Sequence, residues 1–205
     1  MPLRHVYWIG GGSGSGKTTI ARRLAAAYGL RLYSSDDVMA DHGTRTTPEE
    51  SPALAAFIDM DMDERWVKRR PRTMLDSFHW FRGEGFRLIV EDLHALRTEP
   101  PVIAEGFRLL PDLVMPLLDV PDHAVWLLPT PEFRRRAFES RDSLWTIAGR
   151  TTDPERALAN LLERDRMFTD RLYRDTKRLG LRAIDVDMSM TEAELSEQVA
   201  RAFGL

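Results

Sequence analysis

Eight consecutive residues, Gly11-Gly12-Ser13-Gly14-Ser15-Gly16-Lys17-Thr18, carry the most specific chemistry in this chain. They spell GxxxxGK[ST]. Glycines at this spacing let successive backbone N–H groups turn inward around a phosphate chain, and a helix opening at Thr18 points its positive end at the same anion. Lys17 is a compact point charge that can reach terminal phosphates, where the planar fork of arginine is too bulky. The Thr18 hydroxyl can ligate Mg²⁺, and Thr19 continues the same surface. The apolar run Val6 to Ile9 precedes the loop and the helix-like stretch Thr18 to Tyr28 follows it. A chance glycine linker would lack that strand–loop–helix context. The expected ligands are therefore a nucleoside triphosphate and Mg²⁺.

Further residues suited to phosphate chemistry follow other apolar runs. Asp36 and Asp37 come after a short strand near Arg31 to Ser34. Glu105-Gly106 closes a strand at Val102 to Ala104, with Arg108 just beyond. Arg134, Arg135, Arg136 and Arg141 lie on a helix that Thr130 caps and Pro131 opens, and Arg164 and Arg166 lie on a long helix from Asp153 to Leu179. Arginines on a closing segment could stabilise charge on a transferring phosphoryl group; the bland alternative for each is a solvated helix face. Arg134 and Arg164 are the two expected to touch phosphate.

The elements alternate as in an α/β protein, with a first strand near His5 to Ile9, a fourth at Ala124 to Leu128 and a fifth at Arg182 to Val186. A short helix is expected from Pro111 to Leu118, and Thr191-Glu192-Ala193-Glu194 is a capping box for the last helix. Asp41 to Pro52 reads as loop and Asp142 to Thr152 as a mobile excursion. Phe78, Phe81, Leu88, Ile89, Leu93 and Leu96 recur at helical spacing, which predicts a helix from about Thr73 to Arg97, kinked near Gly83 and Gly85. Leu88-Ile89-Val90-Glu91-Asp92 is alternatively a strand ending in acids. Right-handed crossovers make the sheet parallel, and its functional loops then gather at the carboxyl ends of the strands.

Composition bounds the rest. At 205 residues the chain fits one domain, and 43% hydrophobic content suffices for a core. A net charge of −3 gives no sign of a nucleic-acid surface, and the absence of cysteine excludes disulfides, thiolate metal sites and a cysteine nucleophile. The glycine loop comes too early for a signal peptide and no apolar run has membrane-spanning length, so a cytoplasmic protein with no membrane partner is expected.

This ordering resembles the small-molecule branch of the P-loop kinases, which includes nucleoside and nucleotide kinases, shikimate and gluconate kinases and the chloramphenicol phosphotransferases. The sharp match covers Gly11 to Thr18; the rest is positional. The resemblance implies a three-layer P-loop NTPase sandwich, with a five-stranded parallel sheet in order 2-3-1-4-5, helices on both faces and a helical lid over 131–166. It implies transfer of the γ-phosphoryl of Mg-ATP to a small-molecule acceptor, with Asp36 as base or hydroxyl-orienting group, Asp37 as the secondary candidate and Glu105 holding a Mg²⁺-bound water or a substrate hydroxyl. It also places adenine at Asp187-Met188-Ser189; no NKxD motif is present to read guanine. The acceptor site is expected from 38–98, where Arg65 stands near His79, Trp80 and Phe81 in sequence, and Arg108 could reach an anionic acceptor. The competing reading is a P-loop ATPase or nucleotide sensor acting on a protein partner; a motor of that class would want an hhhhDE strand beside the loop.

Overall fold

The computed structural model describes residues 2–141 and 143–205, without the side chains of 138–145. The Arg141 side chain and Asp142, both within the expected lid, thus lie outside the described part.

Five strands form one parallel sheet. They are β1 (Val6–Gly11), β2 (Arg31–Ser34), β3 (Val102–Glu105), β4 (Ala124–Pro129) and β5 (Arg182–Val186), in the order β2-β3-β1-β4-β5. β1, β3 and β4 are apolar at nearly every position because both sheet faces are covered. The helices α1 (Lys17–Tyr28) and α10 (Glu192–Phe203) pack on one face through Ile20, Leu24, Val199 and Phe203. The other face holds Trp8, Trp126 and Phe168 in the larger core. Thr191 and Glu194 form the expected reciprocal cap of α10.

Register fixes the site. Ile9 and Ser34 both pair with Glu105, so β2 and β3 end level and β1 runs two residues past them to Gly11. Gly11 leaves β1 at φ 138°, and a Cβ there would collide with the Leu127 carbonyl of the neighbouring strand. Gly106 leaves β3 at φ 145°, where a Cβ would overlap Ser35 Oγ and press on Asp36 Oδ1. Glycine is therefore the residue that lets the β3 end lie against the Ser35-Asp36 turn.

The connection from β2 to β3 differs from its expected form. It contains α2 (Met39–Thr44), α3 (Pro52–Asp59), a π turn at Glu64–Lys68, α4 (Pro71–Ser77), a 3-10 turn at His79–Arg82 and α5 (Phe86–Ala95). α2 occupies part of the stretch expected as loop. The single helix expected from Thr73 to Arg97 is instead broken twice. Phe78 is extended after α4, and Gly83 and Gly85 take left-handed conformations before α5. Leu88 to Asp92 lies in α5 rather than in a strand. Asp92 accepts hydrogen bonds from Tyr33 (2.9 Å) and Arg45 (2.9 Å) and contacts His42 Nε2 at 2.8 Å, so its carboxylate ties α5 to β2 and α2. The helix expected over 111–118 is α6 (Pro111–Val114) followed by a 3-10 turn containing Pro116, which cannot continue an α-helical ladder.

After β4 come α7 (Pro131–Arg141), α8 (Ser143–Ala148) and the 26-residue α9 (Pro154–Leu179). Thr130 Oγ1 caps α7 by accepting from Phe133 N at 3.2 Å. α9 packs on β4 and β5 and also on α4, α8 and the π turn, so the long helix spans both the sheet and the 38–98 insertion. No described helix is long and apolar enough to cross a membrane.

A Gly106→Ala substitution tests the register argument. It combines a conformation unfavourable to L-residues with a steric clash and should destabilise the protein by about 2 kcal/mol or more in urea unfolding. A wild-type midpoint would show that the β3 end does not depend on this approach.

Candidate functional site

The phosphate-binding loop runs from the end of β1 into α1. Lys17 is buried, and its Nζ donates to the Gly12 carbonyl at 2.8 Å, lying back along the loop. Thr18 Oγ1 donates to Glu105 Oε1 at 3.1 Å, linking the helix start to the end of β3. Glu105 is fully buried, and its Oε2 has no hydrogen-bond partner. Burial pushes its carboxyl above the usual range; the Lys17 charge opposes that shift and the nearby Asp36 charge adds to it. Burial also raises the Asp36 carboxyl, with Lys17, the Ser35 hydroxyl and Arg108 pulling the other way. Two desolvated acids therefore stand about one ammonium.

A cavity of about 390 Å³ opens from this point. Ser13 to Thr18 and Asp36 line one side. Phe57, Trp66, Phe78, Trp80, Phe81 and Phe107 line the other. The rings brace one another. Phe57 meets Trp66 and Phe78 edge-on at 5.5 Å between centroids, and Phe81 stacks on Phe168 at 3.8 Å. His79 is buried among them, and its Nδ1 has no partner. A second cavity of about 320 Å³ lies on the opposite side of the loop, where Gly14, Gly16 and Thr19 face Phe133, Val186, Met188 and Leu195. Arg136 and Glu192 also line this mostly apolar slot beside the phosphate loop.

The structure distributes the expected site residues unevenly. Lys17, Thr18, Asp36 and Arg164 all line the larger cavity, and Glu105 adjoins it through Thr18. Arg164 donates from Nε and Nη2 to Asp165 Oδ1 at 2.8 and 2.7 Å, and its guanidinium lies within 5.1–5.3 Å of the Trp66, Phe78 and Phe81 rings. Arg134 is buried away from this cavity and donates to the Pro129 carbonyl and Thr169 Oγ1. Thr169 in turn lies against Gly12, where an added Cβ would come within 2.5 Å of its hydroxyl. Arg65 donates to the Phe57 and Ile58 carbonyls at 3.0 and 2.8 Å and covers the Phe57 ring at 4.6 Å. Arg108 donates to the Ser35 and Gly85 carbonyls, both at 3.2 Å, and covers the Trp80 ring at 4.1 Å. Burial lowers the Arg108 pKa to about 10. Neither Arg65 nor Arg108 lines the cavity. Asp37 is exposed, with its N–H directed at Ser34 Oγ. Asp187 is exposed beside the smaller cavity, and its Oδ1 accepts from Ser189 N at 2.8 Å and Ser189 Oγ at 2.6 Å.

Phe57, Trp66 and Asp165 are site residues that sequence reasoning did not select. The density of aromatic residues between 57 and 81 was the available signal, but Phe78 and Phe81 read equally well as the core face of a helix. Nothing in an adjacent Arg-Asp pair on a helix announces that the two side chains close on each other.

The sheet order and the loop following β1 define the three-layer P-loop α/β fold. No protein-family model matches the chain, and no curated protein matches it. Among solved structures it is similar to a protein of Thermus thermophilus, with 20% identity over 96% of this chain and 94% of that one and a TM-score of 0.51. At a TM-score of 0.49 it matches a gluconokinase from Sinorhizobium meliloti 1021 (16% identity, 100% and 94% covered). At the same TM-score it matches a deoxyadenosine kinase from M. mycoides with bound dATP (11% identity, 98% and 100% covered). At these identities the likeness concerns the fold alone.

His79 yields a pH prediction. Burial, with help from the Arg108 and Arg65 charges, lowers its pKa to about 4. Between about pH 6.5 and pH 4 the unfolded chain binds a proton at this position that the folded chain refuses, so stability falls as pH falls through that window. The stability advantage of wild type over His79→Phe should therefore shrink by up to about 3 kcal/mol as pH drops across it, at about 1.4 kcal/mol per pKa unit. Parallel urea-unfolding series would show this, and a pH-independent difference would contradict a neutral, buried imidazole.

Proposed function

We propose that this protein is an ATP-dependent phosphotransferase that moves the γ-phosphoryl of Mg-ATP to a small-molecule acceptor, most naturally in the cytoplasm. One observation carries the reading: the phosphate loop, Asp36 and an aromatic wall line a single cavity. A protein that only hydrolyses ATP to drive a partner needs no second chamber opening onto its phosphate loop.

Phosphoryl transfer asks a protein for positioning and charge neutralisation more than for covalent chemistry. The backbone N–H groups of Gly11 to Thr18 cradle the phosphates, and Lys17 leaves the Gly12 carbonyl to lie along them. The apolar slot lined by Phe133, Val186, Met188 and Leu195 takes the base, with Asp187 holding the turn at its rim. Thr18 Oγ1 and the Glu105 carboxylate are hard oxygen donors 3.1 Å apart, a set suited to Mg²⁺ and its water shell. When bound, the ion neutralises charge on the triphosphate. Asp36 accepts the proton of the attacking acceptor oxygen, for which its burial-raised basicity is suited. Arg164, held by Asp165, supplies positive potential at the chamber side. Arg134 acts from behind, fixing Thr169 against Gly12. The aromatic wall excludes water and limits wasteful hydrolysis.

Asp36→Ala should lower acceptor-dependent ADP release by about 10²–10⁴-fold while nucleotide affinity stays within a few-fold. Full turnover in that variant would end the assignment of Asp36. Mass spectrometry of the reaction should show a phosphorylated small molecule. ATP hydrolysis that rises only with an added protein would favour a nucleotide-driven partner switch instead.

A further inference from the structure

Among the described residues, each cation that lines the acceptor chamber has a carboxylate beside it. Arg164 gives two donors to Asp165 Oδ1, lies near three rings and keeps Nη1 without a hydrogen-bond partner. Arg65 and Arg108 stand outside the lining, give their donors to backbone carbonyls and back the Phe57 and Trp80 rings. Lys17 belongs to the phosphate loop. Besides Lys17 and Arg164, each matched by a carboxylate, the chamber offers an acceptor aromatic surface, a neutral His79 imidazole and two carboxylates, Asp36 and Asp165. A carboxylate or phosphate ester placed there would lose hydration and would find no positive charge beyond what Asp36, Glu105 and Asp165 already balance.

We propose that the acceptor is an uncharged alcohol with a ring or other apolar body, and not a sugar acid or nucleoside phosphate. This inference rests on the phosphotransferase reading and specifies its missing half. In the transfer, the acceptor oxygen bonds to the γ-phosphorus as the bond from that phosphorus to the β–γ bridging oxygen breaks. The hydroxyl proton passes to Asp36 and then to water. The products are a phosphate monoester, a nucleoside diphosphate and a proton.

The experiment divides a bacterial metabolite extract on an anion-exchange resin into unretained neutral and eluted anionic fractions. Each is incubated with the full-length protein, Mg²⁺ and γ-labelled ATP. The neutral fraction should accept at least about tenfold more label per enzyme, consistent with the cost of burying an unpaired charge. Treating the labelled product with phosphatase should return a compound that the resin no longer retains. Transfer confined to the anionic fraction overturns the proposal while leaving the phosphotransferase intact. Transfer to neither fraction removes the phosphotransferase reading itself. A second arm uses Asp165→Asn, which releases the Arg164 charge. Its ratio of anionic to neutral transfer should rise several-fold, with folding checked by thermal melting. An unchanged ratio in a folded variant overturns the charge argument, and if the variant does not fold, the wild-type fractions decide alone.

Discussion

A buried carboxylate, Glu105, and a half-buried one, Asp36, facing one buried ammonium set the terms for this molecule. Asp36 and Glu105 are each raised by desolvation and each eased by Lys17. Such a group is costly to assemble in a protein interior, because each charge relies on the others for compensation. The sheet supplies the precision required. β1 delivers the lysine loop, β3 delivers Glu105 beside it, and β2 ends level with β3 so that the next turn presents Asp36. The positive φ of Gly106 lets the last of these approaches happen. Disturbing any one strand end leaves a charge in the interior without its counterpart.

Around this charged centre the chain builds opposite surroundings on the two sides of the phosphate loop. One is a small apolar slot formed by the starts of α7 and α10 and the loop between β5 and α10. The other is an aromatic wall whose cations stand behind or beside the rings. Arginine positions alone suggested a site that grips an anion. The geometry gives those arginines a different task, because donors spent on carbonyls fix the wall, and π contact keeps a guanidinium useful without exposing it.

The sequence made the sheet legible and the insertion illegible, for one physical reason. Strands β1, β3 and β4 are continuous apolar runs bounded by glycine or proline, and α1, α9 and α10 carry caps and periodicity over several turns. The phosphate loop is read from its own residues because its function requires glycine at fixed positions. Between β2 and β3, by contrast, the elements span only four to ten residues. Over such lengths helical periodicity cannot be told from the spacing of unrelated contacts, so Phe78 and Leu88 appeared to share one helix. Arg65 and Arg108 were visible as residues near the site, but which way each guanidinium turned depended on carbonyls at Phe57, Ile58, Ser35 and Gly85, and those become partners only when the chain is folded.

The long helix α9 connects these two halves mechanically. Its later turns lie against β4 and β5, and its first turns hold the chamber wall: the Asn160 side chain donates to the Trp66 and Val67 carbonyls at 3.0 and 3.2 Å, and Thr152, just before the helix, donates from its backbone to Asp63 at 2.8 Å. At 1.5 Å per residue this helix is a beam about 39 Å long. One end is seated on the layer that fixes the phosphate loop, and the other carries the aromatic wall of the larger cavity. The gap between loop and wall is therefore gauged by the straightness of a single rod. A small bend in that rod, far from any reacting atom, would move the wall away from the loop like the loosening of a calliper.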